Sequence, residues 1–414
     1  MTTPAHPLPP SPLQPVAARH RQIADAFADL FGAPPTLWTR APGRVDLMGS
    51  HTDYNDGFIL TMTIDRDTWL AARPRADRRV AICSLDAKGC GAFDLDAIDY
   101  DPDAPWTNYV RGMAQVLQAA GYRLHGFDGL LHTTVPVSSG LSSSAALEMA
   151  VGRMFEQVSD LQIDPVTLAL LGQRAENTFV GVNCGILDQY TSAMGQPGCA
   201  LLLDARTITS RDVPIDPSIA LVICDTRARR ALANSQYGQR RAQCEEGARY
   251  FAALAPDARV TALRDVTLEH FAAHEYALPP EVARRCRFIL EENARVLALA
   301  AALTANDRAA IAALTAASFA GARDLYEIVV PEMAAMLAAM HSAPGVIGAR
   351  QAGAGFGGCM VAFVEQEAVA QFAEDVHRAY RAATGIEPTI YPVAPADGAG
   401  AVVYAGDAGR AAYA

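Results

Sequence analysis

Lysine is almost absent from this 414-residue chain, because Lys88 is the single lysine among 34 basic residues. A phosphate-binding loop of the Walker type ends in Gly-Lys-Ser or Gly-Lys-Thr, whereas Lys88 stands in the segment AKGC. The sequence therefore excludes that route to phosphate binding. Any phosphate charge has to be met by backbone amides, a helix N-terminus, arginine or a metal ion.

Cysteine pairs at metal-ligand spacing and long apolar runs are also absent. The eight cysteines are scattered without a Cys-x-x-Cys pair, which disfavours a zinc site or a disulfide framework and predicts reduced thiols. The opening residues MTTPAHPLPPSPLQP contain no apolar signal core, and no apolar run reaches membrane-spanning length. We therefore expect a cytoplasmic protein.

Basic charge is in deficit, with a formal net charge of -11 at pH 7 and no basic stripe along the chain. Proteins that bind nucleic acid concentrate positive charge on one surface, so this class is disfavoured. Hydrophobic residues make up 51% of the chain and charged residues 19%, which is typical of a soluble globular protein. The length is sufficient for two lobes, each with its own core.

Three ranges are predicted along the chain: a disordered proline-rich tail (1–16), an N-terminal lobe (17–205) and a C-terminal lobe (206–414). Apolar residues at helical or strand spacing predict helices and strands in mixed order, without the regular alternation of a doubly wound sheet. Among the predicted elements are a helix over Ala17–Phe31, a strand over Leu130–Val135, a helix over Ala145–Phe155 and a strand over Cys359–Val364.

Three short segments far apart in the sequence concentrate glycine and polar side chains. They are Gly43–Tyr54 (GRVDLMGSHTDY), Pro136–Ala146 (PVSSGLSSSAA) and Gly353–Cys359 (GAGFGGC). The second combines the end of a strand, a loop of small residues and the start of a helix, and such a loop offers free backbone amides and the positive end of a helix dipole to an anion. An ordinary serine-rich capped turn is the alternative.

The first segment places Arg44, Ser50, His51 and Asp53 beside glycines, a pattern unlike a strand core that suits the recognition of hydroxyl groups. His51 and Asp53 as metal ligands, or a solvated turn, are the alternatives. A fourth segment, ENTFVGVNCGILDQ, holds Glu176 and Asp188. An aspartate after Gly-Ile-Leu is commonly a helix N-cap, which is the alternative to a chemical role for Asp188.

These segments resemble the motifs of a known enzyme family. GRVDLMGSHTDYNDG resembles the galactokinase signature, PVSSGLSSSAALE resembles the phosphate loop of the GHMP kinase superfamily, and ARQAGAGFGGCMVAFV resembles its third motif. GVNCGILDQYTSAMGQPGCALLLD and NSQYGQRRAQCEEGARYF are also similar to galactokinase sequences. The similarity extends from about Trp38 to Val403, which is nearly the whole chain.

The resemblance implies an α+β, two-lobed GHMP kinase fold. Its N-terminal lobe would have a mixed sheet of the ribosomal-S5 type, its C-terminal lobe would be ferredoxin-like, and the active site would lie between them. The implied reaction transfers the γ-phosphoryl group of ATP to the anomeric hydroxyl of D-galactose, giving galactose 1-phosphate and ADP, with Mg²⁺ as cofactor. The expected partners are a sugar and ATP, with neither nucleic acid nor membrane, in a monomer or weak homo-oligomer.

The resemblance also implies roles for individual residues. Asp188 and Arg44 match the family's catalytic pair by their positions in the motifs. A carboxylate beside a guanidinium stays ionised and can orient the 1-hydroxyl and accept its proton, so a true base and mainly a positioning group are the two alternatives for Asp188. Ser143 and Glu176 match the ligands of Mg²⁺, whose preference is for oxygen donors. The sugar contacts are Arg44, Ser50, His51, Asp53, Gly185, Asp188 and Tyr237, and the nucleotide contacts are Trp106, Ser138, Ser139, Gly140, Leu141, Ser142, Ser143 and Ser144.

One position departs from the family pattern. Galactokinases usually have glutamate where this chain has Ser50, and that glutamate addresses the C6 hydroxymethyl group of galactose. A shorter, uncharged side chain leaves room for a carboxylate at C6, so a galacturonokinase or a kinase of another C6-altered sugar such as L-arabinose is an alternative. A sensor that binds sugar and ATP without turnover is an alternative of another class. The HTDY cluster disfavours mevalonate or homoserine as substrate.

Overall fold

The computed structural model describes residues 15–137, 139–228, 233–254, 259–404 and 411–413. The chain forms two compact units, and neither is continuous in sequence. The first unit comprises Met1–Arg44, Thr63–Gly195 and Ala396–Ala414, and the second comprises Val45–Met62 and Gln196–Pro395. The linear lobes 17–205 and 206–414 stay a prediction. Most of the predicted tail, residues 1–14, lies outside the described residues.

The helices and strands follow one another in mixed order. The helices are α1 (Val16–Phe31), α2 (Thr107–Ala119), α3 (Ser143–Ser159), α4 (Pro165–Ala175), α5 (Leu187–Met194), α6 (Ala233–Leu254), α7 (Leu268–His274), α8 (Pro280–Thr304), α9 (Arg308–Asp324), α10 (Pro331–Ser342) and α11 (Val369–Thr384). The strands are β1 (Leu37–Met48), β2 (Phe58–Pro74), β3 (Arg79–Ser84), β4 (Cys90–Asp94), β5 (Phe127–Thr133), β6 (Cys199–Asp204), β7 (Thr209–Pro214), β8 (Ile219–Asp225), β9 (Val346–Gln351), β10 (Cys359–Glu365), β11 (Thr389–Val393), β12 (Gly400–Tyr404) and β13 (Ala411–Tyr413).

The first unit contains a mixed sheet. Strands β2 and β5 pair antiparallel with Thr68 opposite Thr133, whereas β3 and β5 pair parallel. β3 and β4 form an antiparallel hairpin in which Cys83 lies opposite Cys90. At the other side of the sheet, β12 pairs antiparallel with both β1 and β13.

Helix α1 packs on this sheet through one apolar face. Ile23 and Phe27, four residues apart and so on the same helix face, are fully buried against Trp69 and Leu130. Gly32 then ends the helix in the left-handed conformation at a φ of 76°. The helix forms where the apolar spacing predicts it.

A buried ion network joins α1 to the sheet of the first unit. Arg19 Nη1 lies 2.5 Å and Arg40 Nε 2.8 Å from the Asp67 carboxylate. Burial alone would raise the pKa of Asp67, but the two guanidinium groups outweigh it and hold that pKa at about 2. A buried carboxylate with two cationic partners meets the requirement that buried charge be paired.

The second unit contains an antiparallel four-stranded sheet in the order β11-β8-β10-β9. Helices α9, α10 and α11 contribute Phe319, Met336, Phe372 and Tyr380 to a buried core with the strands. In the same unit, the hairpin β6–β7 pairs with the first residues of β2, where Phe58 lies opposite Asp204.

Two expectations from the sequence are wrong. Gly43–Met48 belongs to strand β1, although its polar residues argued against a strand core. Cys83 and Cys90 form a disulfide, so the expectation of reduced thiols holds only for the other six cysteines.

The predicted strand before Pro136, the helix after it and the strand after the third motif are confirmed as β5, α3 and β10. Among the described residues, no helix has the length and apolarity needed to cross a membrane.

Candidate active site

In the first unit, β1 brings Arg44 against the turn that follows Pro136. Gly43 allows this approach, because a Cβ at that position would lie 2.7 Å from the Leu141 carbonyl oxygen. The Arg44 backbone N–H donates to the same carbonyl at 3.1 Å, and its Nη1 donates to the Gly140 carbonyl at 2.6 Å. Arg44 on strand β1 thus donates hydrogen bonds to two backbone carbonyls of the small-residue turn.

Asp188 lies in the first turn of α5 and contacts Arg44. Arg44 Nε and Nη2 donate to Asp188 Oδ1 at 2.8 and 2.5 Å, and Ser142 Oγ donates to Oδ2 at 2.5 Å. The Arg44 side chain is 9% exposed and that of Asp188 is 25% exposed. α5 begins at Leu187 after Ile186, so Asp188 is not the N-cap. The carboxylate is held by charged and neutral donors and still faces solvent.

The turn itself ends in a helix N-terminus. Ser142 has a φ of 58°, in the left-handed region, and α3 starts at the next residue, Ser143. The first amides of an α-helix have no partner within the helix and are suited to bind an anion. Leu141 is buried, and Ser139 Oγ donates to the Pro136 carbonyl, which orders the turn. Ser138, also predicted to contact phosphate, lies outside the described residues.

Glu176 lies where α4 gives way to a π-helical turn, Glu176–Val180. Such turns are frequent at functional sites. Its Oε2 accepts hydrogen bonds from Gln189 Nε2 at 2.7 Å and from Cys184 Sγ at 3.2 Å. Burial raises the pKa of Glu176, and the nearby charge of Asp188 adds to the rise, whereas hydrogen bonds from Cys184 and Ser144 oppose it.

A second buried acid, Glu148, shares a hydrogen-bond donor with Glu176. Glu148 on α3 is fully buried and accepts from Gln189 Nε2 at 2.8 Å, so that one amide contacts both acids. Burial and the neighbouring Glu176 raise the pKa of Glu148 well above its usual range. Its Oε1 has no hydrogen-bond partner in the part of the chain that the structure describes. Acids crowded together in this way favour a cation nearby.

The donor set fits Mg²⁺. The Glu176 carboxylate and the Ser143 hydroxyl are oxygen donors, and Mg²⁺ is commonly held by one or two such protein groups together with phosphate oxygens and water. Within the described ranges, no three histidine, cysteine, aspartate or glutamate side chains form a group that would hold a metal on their own. This arrangement suits a cation that arrives with a phosphate.

Trp106 directly precedes α2 in the first unit. Its indole N–H donates to the Lys88 carbonyl in the β3–β4 loop at 3.3 Å. α2 in turn packs closely on the π-helical turn, because a Cβ at Gly112 would lie 3.2 Å from the Phe179 Cβ. The helix that begins after Trp106 therefore packs against the turn that begins at Glu176.

The second unit holds the rest of the first motif. Gly49 and His51 have φ values of 102° and 71°, and a short 3₁₀ turn, Asp53–Asn55, follows. A Cβ at Gly49 would lie 2.7 Å from the Phe58 carbonyl oxygen, so glycine is required there. Ser50 is buried, and its Oγ has no hydrogen-bond partner among the described residues. A hydroxyl without a protein partner is suited to bind a ligand or water.

His51 is buried and bonded through both ring nitrogens. Nδ1 lies 2.8 Å from Tyr54 Oη, and Nε2 lies 2.9 Å from the carbonyl oxygen of Ala354 in the third motif. Burial lowers the pKa of His51 to about 4, and the nearby charges of Arg240 and Arg350 contribute. His51 is therefore neutral at physiological pH.

Helix α6 supplies Tyr237 to this region of the second unit. The Tyr237 ring centroid lies 5.3 Å from that of His51 and 5.6 Å from that of Tyr54. Asp53, at the start of the 3₁₀ turn, is half-buried. The predicted sugar residues Ser50, His51, Asp53 and Tyr237 thus all belong to one unit, whereas Arg44, Gly185 and Asp188 belong to the other.

Several polar residues of these clusters were not predicted from the sequence. Gln189 and Glu148 flank Glu176, and Tyr326 and Cys244 continue the hydrogen bonds of His51 and Tyr54. The quoted motifs contain a signal for the first two, since Gln189 follows Asp188 and Glu148 ends PVSSGLSSSAALE. Tyr326 stands in no motif identified from the sequence.

Three family models match the chain. The galactokinase galactose-binding signature matches residues 25–74, the GHMP kinase N-terminal domain matches residues 108–196, and the GHMP kinase C-terminal domain matches residues 299–382. They occur in the order that the motifs predict.

Among solved structures, the chain is similar to Lactococcus lactis galactokinase complexed with galactose, with a TM-score of 0.86 and 33% identity over 92% of this chain and 98% of that one. A mevalonate kinase matches with a TM-score of 0.61 and 14% identity over 87% of this chain and all of that one, which shows a shared fold alone. The predicted α+β GHMP kinase fold, with its mixed N-terminal sheet, is confirmed.

Whole-sequence comparison gives the same family. The chain is 44% identical to the galactokinase of Roseiflexus sp. over 92% of its own length and 97% of the relative's. It is also 44% identical to the galactokinase of Chloroflexus aggregans, over 93% of its own length and 98% of the relative's. With this identity over nearly complete sequences, and with a matching signature, N-terminal domain and C-terminal domain, the chain belongs to the galactokinase family.

Proposed function

We propose that this protein is an ATP-dependent sugar kinase that transfers the γ-phosphoryl group of ATP to the 1-hydroxyl of D-galactose. The products are galactose 1-phosphate and ADP. The observation that carries the proposal is the Asp188 carboxylate, held by Arg44 and Ser142 beside a glycine- and serine-rich helix N-terminus. The family relationship favours galactose over galacturonate or L-arabinose, and favours an enzyme over a sensor.

In the proposed reaction, Asp188 accepts a hydrogen bond from the 1-hydroxyl of the sugar and receives its proton as the oxygen attacks the γ-phosphorus. The bond from that phosphorus to the β–γ bridging oxygen breaks, and ADP leaves. Arg44 fixes the carboxylate and offsets negative charge on the transferring group. Phosphoryl transfer depends mainly on positioning and charge stabilisation, and the paired donors on Asp188 supply the first of these.

The remaining predicted contacts divide between nucleotide and sugar. The amides and hydroxyls of Ser139–Ser144, with Ser138, would surround the phosphates, and Trp106 would contact the base. Ser50, His51, Asp53, Gly185 and Tyr237 would contact the sugar. Ser143 and Glu176 would hold Mg²⁺, which offsets phosphate charge when it is bound. A cytoplasmic location, as expected from the sequence, would supply the ATP that this reaction needs.

The test is ATP consumption with galactose by the wild-type protein and by Asp188→Asn. We expect kcat/KM for galactose to fall about 10²- to 10⁴-fold in the variant, because the amide cannot accept the proton. Asp128→Asn is the matched control. Asp128 Oδ1 lies 2.7 Å from Arg75 Nη1 in a separate ion pair, which includes neither Arg44 nor Asp188. This control should retain wild-type turnover. Equal turnover by Asp188→Asn and wild type would show that Asp188 does not accept the proton. Binding of galactose by wild type without release of ADP would favour the sensor.

A further inference from the structure

A line of buried and partly buried hydrogen bonds runs through the second unit to the third motif. Cys244 Sγ lies 3.3 Å from Tyr326 Oη, which lies 2.8 Å from Tyr54 Oη. Tyr54 Oη lies 2.8 Å from His51 Nδ1, and His51 Nε2 lies 2.9 Å from the Ala354 carbonyl oxygen. We call these five groups the relay. Cys244 and Tyr326 are fully buried, and His51 is 4% exposed.

The carbonyl at one end fixes the direction of every hydrogen in the relay. The Ala354 oxygen only accepts, so His51 Nε2 carries the proton and Nδ1 of the neutral ring accepts from the Tyr54 hydroxyl. Tyr54 Oη then accepts from the Tyr326 hydroxyl, and Tyr326 Oη accepts from the Cys244 thiol. The lowered pKa of His51 supports the neutral ring that this order requires.

Helix α6 and the start of the loop after α9 hold the far end of the relay. Tyr237, Arg240 and Cys244 are three and four residues apart along α6, which places them on one face of the helix. Arg240 Nε donates to the Tyr326 carbonyl at 2.7 Å, and its Nη2 donates to the Glu327 carbonyl at 3.2 Å. The backbone of Tyr326 is thus tied to the helix that also supplies Cys244.

The third motif is attached to the same loop. The Phe356 N–H donates to the Ile328 carbonyl at 2.8 Å, and a Cβ at Gly355 would lie 2.7 Å from the Ile328 Cβ. The segment around Tyr326–Ile328 therefore contacts the Gly353–Gly358 turn through the backbone and contacts Tyr54 and His51 through the Tyr326 hydroxyl.

We propose that Tyr326 and Cys244 are positioning residues for sugar binding, which orient Tyr54 and, through it, His51, and so hold the Ser50–Tyr54 segment on the third motif before the sugar binds. This inference rests on the proposed function, in which that segment contacts the sugar. Both nitrogens of His51 are occupied by protein groups. His51 therefore acts mainly by holding the segment in place, and its neighbours Ser50 and Asp53 supply polar contacts to the sugar. Ordering a site in advance lowers the entropy lost when the ligand binds.

The test is Tyr326→Phe, which removes one hydroxyl and keeps the ring. We expect KM for galactose to rise roughly fivefold, the effect of one lost buried hydrogen bond, with kcat and KM for ATP within about twofold of wild type. Tyr250→Phe is the matched control, because Tyr250 packs on the same apolar cluster and its hydroxyl donates to the His274 carbonyl. The control should leave all three parameters unchanged.

A ¹⁵N spectrum of histidine-labelled protein tests the relay independently of activity. Wild type should show His51 as the neutral Nε2–H tautomer at pH 7, and Tyr326→Phe should lose that N–H resonance through faster exchange with solvent. An Nδ1–H tautomer in wild type would overturn the proposed hydrogen order. His51→Gln identifies the resonance.

A second pair of variants covers the case in which Tyr326→Phe does not fold. Cys244→Ser keeps a hydrogen-bond donor, its Oγ hydroxyl, at the γ position and should retain the wild-type KM for galactose, whereas Cys244→Ala should raise it. Equal KM values in both variants and wild type, with galactose still phosphorylated, would overturn the relay and leave the proposed function standing. Absence of galactose phosphorylation by wild type would overturn the proposed function, while the ¹⁵N result would still decide the hydrogen order.

Discussion

Ser50 combines burial with an unpaired hydroxyl. The residue is 3% exposed, and its Oγ has no hydrogen-bond partner among the described residues. A buried hydroxyl in this state costs free energy unless water or a ligand bonds to it. A sugar hydroxyl would supply the hydrogen bond that the Ser50 hydroxyl lacks. Ser50 also lacks the negative charge that glutamate brings at this position.

We expect Ser50 to widen the range of sugars that the enzyme accepts while galactose remains the preferred one. One charged hydrogen bond is worth about 1.5 to 3 kcal/mol, so its loss weakens the binding of galactose without abolishing it. The measurement is kcat/KM for galactose, galacturonate and L-arabinose, in wild type and in Ser50→Glu. The variant should favour galactose over galacturonate more strongly than wild type does. A preference for galactose above about a thousandfold in wild type would contradict the wider range.

His51 makes stability depend on pH. Its pKa is about 4 in the folded protein, against an ordinary value of 6.5. Burial is the main cause of the lowered pKa, and the charges of Arg240 and Arg350 add to it, whereas the Ala354 carbonyl and Glu292 oppose it. The Tyr54, Tyr237 and Tyr326 rings also lie against His51. Between these two pKa values the unfolded state binds a proton that the folded state does not. The contribution of His51 to stability is therefore complete above pH 6.5 and is lost as the pH falls toward 4.

We expect the free energy of unfolding of wild type to fall by up to about 3 kcal/mol more than that of His51→Gln between pH 6.5 and 4. Chemical denaturation at several pH values measures this difference. The comparison with the variant matters because burial also lowers the pKa values of His20 and His132. Parallel pH curves for the two proteins would show that His51 protonates equally in the folded and unfolded states.

At the scale of secondary structure, the β3–β4 hairpin is closed by its own cross-link. Cys83 and Cys90 lie opposite each other in the antiparallel pair and are joined by a disulfide seven residues apart in sequence. The loop between them carries Lys88, whose carbonyl accepts from Trp106. A cross-link over a short loop restricts the unfolded chain and so stabilises the fold.

Reduction should therefore lower the free energy of unfolding of wild type by about 2 kcal/mol, with little effect on the double variant Cys83→Ala/Cys90→Ala. Urea denaturation with and without dithiothreitol measures the difference. Dithiothreitol is oxidised to its cyclic disulfide as the disulfide is reduced to the Cys83 and Cys90 thiols. Cys199→Ala, which removes a half-buried free cysteine, is the control and should keep the response to reductant. Equal stability of wild type under both conditions would contradict a stabilising disulfide.

The same elements show where prediction from the sequence succeeds and fails. Helix α1 follows from apolar periodicity, because local spacing decides which face is buried, and strand β10 follows from a continuous apolar run that is buried on both faces. Strand β1 does not, since Arg44 is buried only because Asp188, far along the sequence, pairs with it. The disulfide depends on hairpin register, which the spacing of the cysteines does not reveal. Tyr326 likewise acquires its hydrogen bonds only when residues from distant parts of the chain meet.

At the scale of the whole molecule, arginine side chains carry almost all of the positive charge. The chain has a net charge of -11 and one lysine, and Lys88 is exposed in the β3–β4 loop. An arginine remains charged in all ordinary conditions and can bind phosphate or carboxylate with two parallel hydrogen bonds. With one lysine in the sequence, the phosphate charge of the substrate has to be met mainly by arginine, backbone amides or a metal ion.

Chemical modification should separate the two kinds of cation. Reductive methylation modifies the Lys88 amine and the α-amino group, and we expect it to change kcat/KM for galactose and ATP by less than about twofold, because methylation retains the positive charge. Phenylglyoxal, which reacts with guanidinium groups, should abolish activity, and galactose with ATP should slow the loss if the critical group is Arg44. Mass spectrometry of the modified protein identifies the arginine that the substrates protect. Protection of other arginines while Arg44 reacts at the same rate in both conditions would contradict its role beside the transferring phosphoryl group.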